Sequence, residues 1–243
     1  NPAAQHALVS TSIALGRSPE GLLLAEAASA LKRDDNELFS SRVILKRQVC
    51  DWRYFYDDEE RLRKAAAKNH PVPPLLLLST EASNAEQSIC ARRWAQNFEK
   101  PFHQHLPARK PGRGRPIRVG YLSGDFHDHA TSRLVAELFE DHNRQHVSVY
   151  GYSYGPDRHS AMRDRMVRSF DTFRDVKNAS SKAIADKIHS DAIDILVDMK
   201  GYTSRARTEI LSWRPAPIQV NYLGFPCTME ANFIDYVITD RVV

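Results

Sequence analysis

Asp125, His127 and His129 carry the chemistry that this chain's residue types and spacing most readily suggest. They lie in IRVGYLSGDFHDHATS, residues 117–132. A carboxylate and two imidazoles at alternate positions share one side of an extended segment. Such a set could ligate a metal, but a His-x-His pair with one carboxylate fixes no further ligand by spacing, so no metal is expected. GYSYG, residues 151–155, has the GxSxG spacing of a serine-hydrolase elbow, a short pattern that is weak by itself. A histidine acting as a general base needs the fewest further parts. Imidazole titrates near about 6.5 and can take a proton from a hydroxyl near neutrality. Asp128 and Thr131, in the same polar stretch, are candidate binding residues.

The elements that must position these residues can be read around them. Ile117, Val119, Tyr121 and Leu122 form a short buried strand, and Ser123-Gly124-Asp125 ends it with turn chemistry. Thr131 and Ser132 stand where a helix N-cap is wanted, ahead of Leu134, Val135, Leu138 and Phe139. Further strands are expected at 146–152, 172–176, 193–199, 218–223 and 236–239. Helices are expected over 157–169, from Ser180 or Ser181 to 190, and over 205–213. Strands separated by helices imply parallel βαβ units, so residues 117–243 read as an α/β, Rossmann-like, doubly wound domain.

In a parallel sheet the loops Lys200-Gly201-Tyr202-Thr203 and Gly224-Phe225-Pro226-Cys227-Thr228 share an edge with SGDFHDH. Gly201, Tyr202, Thr203, Gly224, Pro226 and Thr228 therefore join the candidate substrate- or donor-binding residues. Ligands bind beyond the carboxyl ends of strands in such sheets. Neither GxGxxG nor GxxxxGK[ST] occurs, which disfavours a nicotinamide or P-loop nucleotide.

Residues 1–106 carry helical signals and almost no strand signals. A first helix closes at Gly16, and Ser18-Pro19-Glu20 opens a second. Asn36 caps a third, 57–69 forms a fourth, and Ser83 or Asn84 starts another that runs to about Lys100. Leu75–Leu78, after three prolines, reads as a buried connector too short for a typical helix. The region resembles paired helices of a tetratricopeptide kind, although no clean internal period is found. Residues 107–116, rich in Pro, Gly and charge, mark the domain boundary.

The chain has 243 residues, 42% of them hydrophobic and 26% charged, with a net charge of +4. That is an ordinary globular composition. No apolar run approaches the roughly 20 residues of a membrane span. Asn1–Gly16 lacks the pattern of a signal peptide, and without an initial Met the chain is expected to be a piece of something longer. Arg109, Lys110, Arg113, Arg115 and Arg118 cluster, but without interleaved aromatics they read as a solvated linker, not a nucleic-acid surface. Cys50, Cys90 and Cys227 form no CxxC pair, which suggests reduced thiols and a cytoplasmic setting.

RVGYLSGDFHDHATSRL, ILVDMKGYTSRAR, RPAPIQVNYLGFPCT and DYVITD, in that order, resemble the first catalytic lobe of the O-GlcNAc transferase family. CDWRYFYDDEERL and ARRWA resemble the segment joining that family's tetratricopeptide repeats to its catalytic core. The resemblance implies a GT-B fold of two Rossmann-like lobes. It implies an inverting transfer of N-acetylglucosamine from UDP-GlcNAc to Ser or Thr of proteins, with no cofactor and no metal. It assigns the active-site histidine to His129 and its carboxylate to Asp125, and leaves His127 at a variable position. Ala130 replaces a usual Pro, Arg133 a second His, and Cys227 a Gly. The second lobe, expected to hold most sugar-nucleotide contacts, is not in the sequence. Two alternatives stay open: a GDP-fucose-dependent protein O-fucosyltransferase, and a non-catalytic helical-repeat interaction module.

Overall fold

The computed structural model describes residues 2–31, 35–108, 110, 114–156 and 159–241. The chain divides into two compact units, Asn1–Trp94 and Ala95–Val243.

The first unit is helical. Its helices are α1 (Pro2–Ala14), α2 (Ser18–Leu31), α3 (Asn36–Gln48), α4 (Phe55–Ala67), α5 (Pro74–Leu78) and α6 (Asn84–Ala95), which ends at the unit boundary. α3 supplies both of its apolar clusters. Leu38 and Leu45 pack with Val9, Leu22, Ala25 and Ala28. Phe39 and Val43 pack with Leu62, Leu76, Leu77 and Cys90. Asp35, one residue before the expected Asn36, caps α3 by accepting the Leu38 N–H at 3.0 Å. The stretch read as a connector is the short helix α5. Pro74 stands at its first turn, where a missing N–H costs nothing, and Leu76 and Leu77 are buried. Ser83 and Glu86 form a capping box at α6: the Ser83 N–H donates to Glu86 Oε2 at 2.8 Å and the Glu86 N–H to Ser83 Oγ at 3.3 Å.

The second unit is built on a six-stranded parallel sheet ordered β3-β2-β1-β4-β5-β6 among the described residues. The strands are β1 (Ile117–Ser123), β2 (Val147–Ser153), β3 (Thr172–Asp175), β4 (Ile195–Asp198), β5 (Ile218–Tyr222) and β6 (Tyr236–Ile238). The helices are α7 (Ala130–Glu140), α8 (Ala161–Ser169) and α9 (Ser181–Ser190). The chain winds outward from β1 through β3, then crosses back to β4 on the other side of β1. Right-handed crossovers put α7 and α8 on one face and α9 on the other. Val135, Ala136 and Phe139 of α7 and Met166 of α8 bury against Val119, Tyr121 and Val149 of the sheet. This is the doubly wound α/β order, with its switch point between β1 and β4.

Some boundaries differ from the sequence reading. The helix expected over 157–169 begins at Ala161, where the Ser160 hydroxyl caps Arg163; Asp157 lies outside the described residues. The helix expected over 205–213 is a 3₁₀ segment, Thr208–Trp213. The segment expected to carry the preceding helix to Lys100 leaves helical geometry after Ala95, and 95–106 belongs with the sheet. Phe98 stacks on Tyr202 at 6.4 Å, the Lys100 ammonium sits 4.5 Å over the Trp213 ring, and the Leu106 N–H donates to Trp213 O at 2.8 Å. The basic cluster is not simply solvated. Arg115 grips Asp194 with two nitrogens at 2.8 and 3.0 Å, and Arg118 donates to Asp191 O at 2.8 Å. Arg109 and Arg113 lie outside the described residues.

Candidate active site

The switch point brings the loop after β1 against the loop after β4. Leu122 is paired with Asp198 in the sheet, so the residues just past each strand become neighbours. Asp125 is held through its backbone. Its N–H donates to Ser123 Oγ at 3.0 Å, and its carbonyl accepts the Ser132 hydroxyl at 2.6 Å and the His127 N–H at 2.7 Å. Its buried carboxylate accepts the Lys200 ammonium at 2.8 Å through Oδ2. Lys200 is equally buried.

His129 sits above this pair. Its backbone is extended, and it is the N-cap of α7. Thr131 and Ser132, expected at the cap, lie inside the first turn. The Ser132 hydroxyl turns back to Asp125 instead, and the imidazole supplies the capping acceptor. The Thr131 N–H donates to His129 Nδ1 at 3.2 Å. Asp125 Oδ2 is 3.7 Å from the same nitrogen. A backbone N–H can only donate, so Nδ1 is the lone-pair nitrogen and the neutral ring holds its proton on Nε2. The side chain is 41% exposed, and with Nδ1 engaged by the helix, the free edge of the ring is a hydrogen-bond donor.

Asp198 is fully buried below. Its Oδ1 accepts the Lys200 N–H at 3.1 Å and its Oδ2 the Gly201 N–H at 2.9 Å. Desolvation pushes its carboxyl up to about 6, against the pull of those two amides, the Lys200 charge and Asn221. Tyr154, also buried, is pushed well above the ordinary phenol range by desolvation, with Asp198 and Asp125 adding to the effect.

The other residues expected in the site divide. Thr203 donates its hydroxyl to Lys200 O at 2.9 Å and so braces the β4 loop. Gly201 has φ +55, and a Cβ there would stand 2.3 Å from Phe225 Cβ. A Cβ on Gly224 would stand 2.0 Å from Met199 O. Both glycines are required by contact between the β4 and β5 loops, with no ligand needed to explain them. Tyr202 is buried, its ring edge-on to Phe225 and its hydroxyl donated to Met229 O at 2.9 Å, so its polar atom is used within the fold. Asp128 is exposed and paired with Arg133 at 2.7 Å. Pro226 and Thr228 line a cavity of about 430 Å³ with Cys227, Tyr222 and Val237 beyond the ends of β5 and β6. His127 lies ring-edge to ring-face with His129 at 5.6 Å. Among the described residues no three His, Cys, Asp or Glu side chains gather as metal ligands.

Lys200 and Asp198 were not expected as site residues. The available signal was a pair of charges closing the otherwise apolar run ILVDMK, where a buried strand meets its loop.

A doubly wound α/β lobe with a polar cluster at its switch point is the class that fold and site define. The chain belongs to glycosyl transferase family 41: the family described as "Glycosyl transferase family 41" matches residues 75–243. It is 40% identical over 178 residues to the probable UDP-N-acetylglucosamine–peptide N-acetylglucosaminyltransferase SEC of Arabidopsis thaliana, covering 72% of this chain and 18% of that protein. It is 34% identical over 215 residues to the UDP-N-acetylglucosamine–peptide N-acetylglucosaminyltransferase of Caenorhabditis elegans, covering 80% of this chain and 18% of that one. The structure superposes on a mutant O-GlcNAc transferase of Thermobaculum terrenum with a TM-score of 0.73 at 24% identity, covering 99% of this chain and 47% of the other. The chain thus spans 18% of the length of these two curated relatives and about half of the solved one.

Proposed function

We propose that this chain is the first-lobe portion of an inverting protein O-glycosyltransferase. The complete enzyme would transfer N-acetylglucosamine from UDP-GlcNAc to Ser or Thr hydroxyls of protein acceptors. Two relatives named for that transfer support the donor and acceptor classes. The observation that carries the reading is the placement of His129, which presents a free ring edge at the carboxyl end of β1, above the buried Asp125–Lys200 pair. A second lobe would supply the other wall of the cleft and most contacts to the sugar nucleotide. No cofactor and no metal enters this reading. The helical unit is read as the end of a tetratricopeptide-like region. A cytoplasmic setting fits three cysteines of which none is in a disulfide, and no helix among the described residues is long and apolar enough to cross a membrane.

In the reaction the acceptor hydroxyl attacks the anomeric carbon as the diphosphate leaves. Holding the two reactants in line supplies much of the acceleration. A positioned imidazole could contribute about 10²- to 10⁴-fold as a base. The cap bond on Nδ1 favours the other role, because the neutral ring then offers Nε2–H to an oxygen on which charge develops. In that tautomer the acceptor's proton leaves to a group other than His129.

The test is donor competition in the full-length protein with an acceptor protein and labelled sugar nucleotides. Transfer from UDP-GlcNAc, unaffected by GDP-fucose, is the expected result. Transfer from GDP-fucose alone would make it a fucosyltransferase. Acceptor binding with no transfer from either donor would make it an interaction module.

A further inference from the structure

Asp125 Oδ2 has two neighbours of opposite consequence. Lys200 Nζ is bonded to it at 2.8 Å, and His129 Nδ1 lies 3.7 Å away. The Nδ1 edge can serve one of two partners. As an acceptor it takes the Thr131 N–H and caps α7. Carrying a proton it could only donate, and Asp125 is the acceptor within reach. The two arrangements put the ring's outward nitrogen in opposite states, N–H in the first and a lone pair in the second.

What decides between them is how strongly Asp125 attracts a proton on Nδ1. An ionised carboxylate in a dry site without a cation would pull hard. The charged and titratable groups around this corner come from several elements. The β1 loop brings Asp125 and His127, the last residue of β4 is Asp198 and the loop after it brings Lys200, and Tyr154 follows β2. From α7 comes the Thr131 N–H. Lys200 is the cation that the structure places on Asp125.

We propose that Lys200 is a positioning residue for His129. By holding the Asp125 carboxylate it keeps Nδ1 available to cap α7, so the ring presents Nε2–H outward. The inference deepens the transferase reading and rests on it for its activity readout alone.

The experiment is imidazole ¹⁵N NMR on the full-length protein, with His129 assigned by its loss in His129→Asn, alongside steady-state kinetics. Wild type is expected to show the Nε2–H tautomer. Lys200→Met is expected to shift His129 to Nδ1–H, bonded to Asp125. It should also lower kcat by about tenfold to hundredfold, the scale of a misplaced catalytic contact, with donor KM little changed. Lys200→Arg is expected to keep Nε2–H, and Lys200→Met combined with Asp125→Asn to restore it. A folded Lys200→Met protein that keeps Nε2–H overturns the proposal. If Lys200→Met does not fold, Lys200→Gln retains a hydrogen-bond donor without the charge; an unchanged tautomer there overturns it equally. If wild type transfers no sugar, the transferase reading fails, while the tautomer shift still decides the role of Lys200.

Discussion

The Thr131 N–H donates to His129 Nδ1 across 3.2 Å, so one imidazole is both the candidate active-site ring and the N-cap of α7. Histidine is not among the favoured capping residues. Its presence there ties ring orientation to the start of the helix that follows β1.

The two roles separate by substitution. His129→Ala removes both, and should cost about 1 kcal/mol of stability as a lost cap. His129→Asn can still accept the Thr131 N–H, so it should recover most of that stability. Turnover should fall in both variants by about 10²- to 10³-fold, the scale of a lost transition-state donor. Urea unfolding and initial rates on the full-length protein measure the two effects. Near-normal rates in His129→Asn would remove the ring from the chemistry.

Asp198 makes a pH prediction whose sign is set by burial. Burial pushes its carboxyl in the folded chain up to about 6, above the ordinary carboxylate range. Between about pH 4 and that value the folded chain holds a proton that the unfolded chain has released. The contribution of Asp198 to stability is therefore fully present below about pH 4 and is lost as pH rises through the folded value. The stability difference between wild type and Asp198→Asn, followed by urea unfolding across this range, should decline with rising pH and then level off. A difference that rises with pH would contradict the burial argument.

Gly224 and Thr228 lie four residues apart in the β5 loop and should differ sharply in their response to alanine. A methyl at Gly224 meets Met199 O, which belongs to a backbone whose N–H is bonded to Leu122 O at 3.1 Å and has little room to yield. Gly224→Ala should destabilise the lobe by about 1–3 kcal/mol or more, the range for enforced backbone strain. Thr228 is exposed, and Thr228→Ala should stay within about 0.5 kcal/mol. Thermal unfolding of the two variants side by side checks the contrast.

Much of this was legible in the residues. Alternating and continuous apolar runs located β1 and β4, and the cap of α9 was readable as Ser180 or Ser181, of which the structure uses Ser180. Asp125, His127 and His129 stood out together because they follow the end of a buried strand, and the family resemblance, not the local pattern, chose His129 over His127. The cap of α7 was misread because its preferred residues, Thr131 and Ser132, lie so close to it. The choice of His129 depends on Ser132 being drawn to Asp125 O, a contact made only once the loop has folded. Gly201 and Gly224 were expected as substrate- or donor-binding residues, and the structure gives each a reason within the fold, loop against loop.

By itself the sequence determined the alternation of strands and helices in the second unit, the cores of most of them, and which loops end in polar residues, because these follow from local periodicity and turn chemistry. It did not determine that Lys200 reaches Asp125 across 75 positions of chain. That pairing exists because the sheet sets β4 beside β1, and strand order is decided by the packing of the whole lobe. The charge state and tautomer at the candidate site are therefore properties of the tertiary structure, although every residue that makes them is visible in the chain.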